Sequence, residues 1–256
     1  MTVPRVSIVL PVHNSATHLG ECLASVLEQS FQDWELLAAD DASTDGSLTI
    51  LNGFRDPRAQ VFSIEVNQGV SRTRNFLIEK ARSPLIALLD SDDFLDPGRL
   101  SIQINTLDDN PEIDIVGTFM NLIRESGDPV AVRGFPQTHF TVNGLLFSAA
   151  APAHATIVGR RSWFLRNPYP EFLDRAEDKY MIVNAVRNSD FSYAVVEKPL
   201  YNYRFEGSQN IGKRLIIYRA ERKYLAVFLG NPALKVLYKL RSFGKSFVAH
   251  IRSTLA

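Results

Sequence analysis

The sequence predicts an α/β fold: a mostly parallel sheet with helices on both faces, followed by a basic helical extension. Three observations predict it. Apolar runs of strand length alternate with helix-period segments four times within the first ninety residues, the signature of a parallel sheet whose crossovers are helices. Two of those runs end in clustered aspartates. Basic residues gather after residue 212, where apolar residues recur at helical spacing.

The elements follow in order. Val6–Val12 is a continuous apolar strand, with Pro11 near its end. Asn14 or Ser15 can cap the next helix, Ala16 to Gln29, whose Leu19, Cys22, Leu23, Val26 and Leu27 share one face. Trp34–Ala39 is a second strand ending in Asp40-Asp41, and Ser43 or Thr44 can start a helix over 46–54. Val61–Glu65 is a third strand. Asn67-Gln68-Gly69 turns the chain into a helix over 70–81 with Arg72 and Arg74 in its first turns. Pro84–Leu89 is a buried fourth strand, and Asp90, Ser91, Asp92 and Asp93 follow it. A helix over 98–107 then leads away from that strand end.

Beyond it, Ile113–Gly117 reads as a strand continued or paired by Phe119–Ile123, and 125–137 as a hairpin or exposed loop. A short helix over 140–150 and a strand over 155–159 follow, with His154 just before the strand. Glu177 and Asp178 open another helix. Tyr193–Val196 is a last strand, after which Pro199–Arg204 runs out into a turn at Gly207-Ser208. Segments 214–229 and 234–255 are two amphipathic helices separated by Gly230-Asn231-Pro232. The implied organisation is a first half over 1–110, a second half of the same domain over 111–212, and a tail over 213–256.

The chain has 256 residues, of which 45% are hydrophobic, enough for one large core. Its formal net charge of zero hides an asymmetry: residues 213–256 hold ten Lys/Arg and one acid, Glu221, whereas the first 212 hold 18 basic and 27 acidic residues. An acidic body with a basic tail suits an anionic surface such as a membrane face, while a solvated basic face packed on its own domain accounts for the tail equally well. No feature points to nucleic acid. A lone cysteine, Cys22, gives no disulfide framework and points to a reducing, cytoplasmic setting, with peripheral attachment to the inner membrane face left open. No apolar run approaches the ~20 residues of a spanning helix.

The aspartates carry the chemistry. Three carboxylates within four residues repel one another unless a cation offsets them. At the carboxyl edge of an α/β sheet, where ligands bind, a hard divalent ion such as Mg2+ or Mn2+ is the economical offset. All carboxyl ends of a parallel sheet lie on one edge, so Asp41 and Asp92 reach one crevice, with Arg72 and Arg74 after the third strand suited to phosphate. Glu177 and Asp178 read either as helix N-terminal acids meeting the macrodipole or as a general base. His154 is a candidate only, since a lone histidine is more often packed than ligating.

Four colinear blocks give these residues a context: Val6-Ser-Ile-Val-Leu-Pro-Val-His-Asn14, Ala39-Asp-Asp-Ala-Ser-Thr-Asp-Gly-Ser47, Asn67-Gln-Gly-Val-Ser-Arg-Thr-Arg-Asn75 and Leu88-Leu-Asp-Ser-Asp-Asp93. Together they make the chain resemble family 2 glycosyltransferases of the Rossmann-like GT-A fold over about its first 110 residues. The resemblance implies an inverting, non-processive transferase moving one sugar from a nucleotide-sugar donor, UDP by default, to a glycan or lipid-linked acceptor. It implies donor contacts at Pro11, His13, Asp41, Arg74, Asp90, Ser91 and Asp92. It further implies a Mn2+ or Mg2+ site at Asp92 with Asp90, and Asp178 as base beside Glu177. The chain departs from the pattern after Tyr203-Arg204, where many relatives carry a histidine and this sequence has Phe205-Glu206, making Glu206 a candidate substitute. It also lacks the Gln-x-x-Arg-Trp signature of processive synthases. Two rival readings are a sugar-phosphate nucleotidyltransferase, which would need a Gly-rich basic loop after the first strand, and a catalytically inactive nucleotide-sugar-binding module.

Overall fold

The computed structural model describes residues 3–147, 151–173, 175–205 and 211–254. Strands β1 (Val6–Val12), β2 (Trp34–Asp41), β3 (Ala59–Ile64) and β4 (Leu85–Leu88) alternate with helices α1 (Ala16–Leu27), α2 (Ser47–Gly53) and α3 (Val70–Lys80). The four strands are mutually parallel in the order β3-β2-β1-β4. Every residue of β1, β2 and β4 is buried, which is why these segments read as unbroken apolar runs rather than alternating ones. The two faces still divide by pleat. Val6, Ile8, Leu10 and Val12 pack with Leu19, Leu23 and Val26 of α1, while Val9 joins Leu77 and Ile78 of α3 on the other side. Each such side chain contributes about 1.5–3 kcal/mol on burial. That exceeds the helix propensity of any residue but proline, so the apolar stripe sets how each helix docks.

The second half extends the sheet with a change of direction. After the two-residue β5 (Phe94–Leu95) come α4 (Arg99–Asp109), β6 (Ile115–Ile123), β7 (Pro129–Arg133) and α5 (Val142–Phe147). A 3-10 turn over His154–Thr156 leads into β8 (Val158–Arg160), α6 (Arg161–Arg166), α7 (Glu177–Arg187) and β9 (Tyr193–Arg204). The full order is β3-β2-β1-β4-β8-β6-β9-β5, with β7 paired to β6. β8 enters antiparallel between β4 and β6, β6 and β9 run parallel, and β5 pairs antiparallel with β9. The sheet is thus parallel through its first half and mixed beyond.

Several expectations are corrected. Tyr193 to Arg204 is one long strand, with register shifts opposite Thr118–Met120, rather than a short strand followed by a loop. Segment 155–159 splits into the 3-10 turn and β8. β5 was too short to leave a pattern. Neither Asn14 nor Ser15 caps α1 through its side chain; Asp45 of the next loop accepts the Ala16 N–H at 3.0 Å instead. Gly207-Ser208 lies outside the described residues.

The tail forms α8 (Ile211–Tyr224), a 3-10 turn over Leu225–Phe228 and α9 (Pro232–Thr254). It packs on the body: Tyr238 of α9 is buried against Phe147 with ring centroids 5.5 Å apart, and Lys179 of α7 donates to Glu221 at 2.8 Å. Among the described residues no helix is long and apolar enough to cross a membrane.

At the amino end of the sheet, Glu35 is a buried acid that ties three segments. It accepts from the Ser7 hydroxyl at 2.6 Å, from the Arg82 backbone N–H at 3.0 Å and from the Arg82 guanidinium at 2.7 Å. Burial pushes its pKa up, but the hydrogen bonds from Ser7 and Arg82 outweigh it and hold the carboxyl below its usual range. Stability from this group is therefore complete above the ordinary glutamate range and is lost as pH falls through the lowered folded value. Glu35→Ala should lower the unfolding free energy by about 1–3 kcal/mol, and denaturant titrations between pH 3 and 7 should show the difference from wild type shrinking toward acid.

Candidate active site

The carboxyl ends of β1, β2 and β4 open onto a cleft of about 840 Å³ that Pro11, His13, Asp41, Arg74, Asp90, Ser91, Asp92, Glu177 and Asp178 all line. Sequence-distant candidates therefore converge, because a parallel sheet delivers every strand end to one rim. Three loop residues there adopt the left-handed region without being glycine: Asn14 (φ 52°), Ala42 (φ 56°) and Ala176 (φ 64°). Each follows a strand at the rim or precedes the acids of α7, where a sharp change of direction aims the next side chains inward.

The loops are cross-tied before any ligand enters. Asn14 Oδ1 accepts from Thr44 N at 2.8 Å, and Ser15 and Ser91 hydroxyls lie 2.6 Å apart. His13 donates its Nδ1–H to the Asp41 carbonyl at 2.8 Å. The Asp41 carboxylate accepts the backbone N–H of Gln68 and of Gly69, one on each oxygen at 2.9 Å. Asp41 thus holds the β3–α3 turn in place, and each oxygen keeps a lone pair for one further donor.

Arg74 of α3 ties the end of β4 to the start of α7. Its buried guanidinium donates Nη2 to Asp90 at 2.6 Å and Nη1 to Glu177 at 3.1 Å, and its carbon lies 5.4 Å from the Tyr169 ring. Burial alone would lower the Arg74 pKa; Asp90, Tyr169 and Glu177 more than offset it, and the charge is retained. For Asp90, burial pushes the pKa up, but the Arg74 charge wins and holds it below the usual carboxylate range. Glu177 goes the other way, raised by burial and by neighbouring Asp178 despite Arg74. Arg72, expected at the phosphate, is turned onto Glu171 at 3.3 Å instead, and it does not line the cleft.

The acids thus have distinct surroundings. Asp92 stands exposed at the cleft rim, whereas Asp93 is buried and accepts the Arg204 N–H at 2.8 Å. Burial beside Asp92 and Asp90 pushes the Asp93 pKa well up. Asp178, partly buried in the first turn of α7, forms no side-chain hydrogen bond or ion pair among the described residues. A divalent metal commonly takes one or two protein carboxylates and completes its shell with waters and substrate phosphate. Asp92, exposed, and Asp90, bonded to Arg74 through Oδ1, both line the cleft and are the carboxylates whose donor chemistry suits such an ion. Among the described residues no group of three or more His, Cys, Asp or Glu side chains is disposed to hold a metal by itself.

A second cavity, about 670 Å³, adjoins the first. Asp90, His154, Asp178 and Tyr203 line both. His154 is buried and bonded through Nε2 to the Tyr169 hydroxyl at 2.7 Å; burial, then Arg74, lowers its pKa to about 4, so the ring is neutral at pH 7. It acts as a packed wall. Glu206 lies outside the described residues.

Two groups escaped the sequence. The helix over 98–107 does not only lead away: Arg99, fully buried, sends its guanidinium under the site, donating to the Leu88 carbonyl at 2.9 Å and the Ile157 carbonyl at 3.3 Å. Tyr201 bonds the Asp90 N–H through its hydroxyl at 3.2 Å. The signal for Arg99 was available, since Arg99 and Gln103 fall on the same helix face as Leu100, Ile104 and Leu107.

Comparison with known proteins gives a consistent family. Residues 7–167, well over half the chain, match the model "Glycosyl transferase family 2". An uncharacterized glycosyltransferase of Haemophilus influenzae is 41% identical over 107 residues, 41% of this chain and 43% of that protein, so the chain spans less than half of that relative's length. The Escherichia coli UDP-Glc:alpha-D-GlcNAc-diphosphoundecaprenol beta-1,3-glucosyltransferase WfgD is 27% identical and covers 92% of this chain and 90% of its own. The mannosyltransferase PcManGT of Pyrobaculum calidifontis, solved with GDP-Man and Mn2+, superposes with a TM-score of 0.68 at 15% identity, over 100% of this chain and 76% of that one; that likeness bears on the fold, which is GT-A.

Replacing Arg74 leaves two acids without their cation. Arg74→Met should lower the unfolding free energy by about 3–5 kcal/mol, read by chemical denaturation at pH 7. Arg74→Lys should recover only part of it, because a point charge cannot fork to both carboxylates.

Proposed function

The chain belongs to glycosyl transferase family 2, and we propose that this glycosyltransferase moves a single sugar, with inversion, from a UDP-sugar to a hydroxyl of a glycan or lipid-linked acceptor. The observation that carries the reading is the position of Asp178: it lines both adjoining cavities and its side chain makes no hydrogen bond among the described residues, while its neighbour Glu177 is committed to Arg74. One cavity then suits the donor and the other the acceptor, with a carboxylate at their junction.

In this reading Pro11, His13 and Asp41 border the nucleoside, and Arg74 orders the acids beside the diphosphate by holding Asp90 in place. Asp92, with Asp90, would hold a Mn2+ or Mg2+ ion. When bound, that ion supplies Lewis-acid stabilisation of the diphosphate charge. The acceptor hydroxyl gives its proton to the Asp178 carboxylate, its oxygen forms a bond to the anomeric carbon, and the bond to the diphosphate oxygen breaks with its electron pair. In this reading the acceptor oxygen attacks from the side opposite the leaving group, and the anomeric centre inverts. His154, neutral and bonded to Tyr169, shapes the wall and excludes water, while Arg99 and Tyr201 fix the backbone at Leu88 and Asp90. The UDP choice is supported by the name of the Escherichia coli relative, and Mn2+ by the ligands of the archaeal mannosyltransferase. A cytoplasmic site of action suits the single cysteine and the nucleotide-linked donor.

Asp178→Asn should keep donor affinity within about twofold and reduce turnover by about 10²–10⁴, measured by calorimetric binding alongside product formation. Near-normal turnover would remove Asp178 from the reaction. A calorimetric comparison of UDP-, dTDP- and GDP-sugars with and without Mn2+ should show metal-dependent binding strongest for UDP; binding without sugar transfer to any acceptor would identify an inactive nucleotide-sugar module instead.

A further inference from the structure

The outer face of α9 carries an apolar stripe that is largely exposed among the described residues. Val236, Leu237, Leu240 and Phe243 are between 53% and 61% exposed. Their spacing puts Val236, Leu240 and Phe243 on one side of the helix, opposite the side on which Tyr238 and Ser242 are buried against the protein. Four large apolar side chains together on a surface helix gain by leaving water for an apolar environment. Single exposed apolar residues are ordinary; a helical stripe calls for a partner.

Charge identifies the partner. Lys239 is exposed beside the stripe, Lys235 stands one turn before it, and the Arg222 guanidinium of α8 lies 4.3 Å from the Phe243 ring centroid. On α8, Arg219 and Lys223 are exposed as well. The one acid of the whole segment, Glu221, is buried and neutralised by Lys179 at 2.8 Å. The outward surface is therefore apolar in the middle and cationic around it, a pattern complementary to an anionic bilayer, where the apolar groups enter the acyl boundary and the cations meet the headgroups.

The position of the helices fits this partner. Lys245 of α9 lines the second cavity, and Ile216 and Ile217 of α8 line the first. The same two helices thus wall the site on one side and face outward on the other, about one helix diameter, ~10 Å, apart. We propose that the Val236–Phe243 face of α9 is a docking surface for an anionic membrane, placing the second cavity next to the headgroups from which a lipid-linked acceptor would enter. The acceptor clause rests on the transferase reading above; the docking itself does not.

Co-sedimentation of the full 256-residue chain with vesicles tests it. Phosphatidylcholine vesicles with about a third phosphatidylglycerol should bind the protein at least about tenfold more tightly than pure phosphatidylcholine. Leu240→Glu/Phe243→Glu should weaken that binding about tenfold or more. Lys235→Glu/Lys239→Glu, which changes side chains not buried in the protein and leaves the fold intact, should weaken it similarly and make it less salt-sensitive. UDP-sugar hydrolysis by the same samples without vesicles should stay at the wild-type rate in both variants. Absence of that hydrolysis in wild type would count against the transferase reading alone. Docking is overturned if wild type fails to bind the anionic vesicles, binds neutral ones equally, or binds no more tightly than the variants. A wild-type dimer that Leu240→Glu/Phe243→Glu dissociates, with no vesicle binding, would assign the stripe to a second copy instead.

Discussion

The buried Arg74 guanidinium, forked between Asp90 and Glu177, is the interaction on which the rest of the site depends. The sheet delivers acids to one rim from β2, β4 and α7, and at about 4 Å two like charges repel by roughly 4 kcal/mol near a protein surface. A cluster of that kind is compatible with a folded cleft only if cations are built in beside it. Arg74 joins the first half of the chain to the second at the point where the two cavities meet. Arg99 supports the same region from beneath by donating to the Leu88 carbonyl at the end of β4 and to the Ile157 carbonyl beside it, and Arg204 ties its backbone to Asp93 and its guanidinium to the carbonyls of Arg124 and Glu125.

These cations and backbone donors sort otherwise similar carboxylates into different tasks. Asp41 and Asp45 hold loops through backbone amides. Glu177 and Asp90 are committed to Arg74, and Asp93 is buried with a raised pKa. Asp92 and Asp178 stand apart from these commitments in position: one is at the exposed rim, the other at the junction of the cavities. Residue type alone could not have distinguished them. Environment does so, through burial, hydrogen bonding and neighbouring charge.

Much of this was legible in the chain. Local periodicity gave β1 to β4 and their helices, because each strand is buried on both faces and each helix on one. The rule that parallel strands share a carboxyl edge brings Asp41 and Asp92 to one crevice from the sequence alone. Legibility failed where partners are distant in sequence. Ser15 looked like a cap, yet Asp45 supplies the acceptor. Position after the third strand suits both Arg72 and Arg74 to phosphate, yet helix rotation buries Arg74 and turns Arg72 onto Glu171. Arg99 looked like part of an exit helix, since no local pattern announces which carbonyls a buried guanidinium will reach.

The sequence by itself determined the α/β class, the family, the acidic rim and the basic, amphipathic character of the tail, because all of these follow from spacing and composition along the chain. Only the tertiary structure decided which acids are neutralised, that two cavities meet at Asp178, and that the tail packs one face on the body while leaving the Val236–Phe243 face outward. Those outcomes depend on contacts between segments a hundred residues apart, such as Arg74 with Glu177, and on which side of a helix meets the core. Neither is encoded in any single stretch.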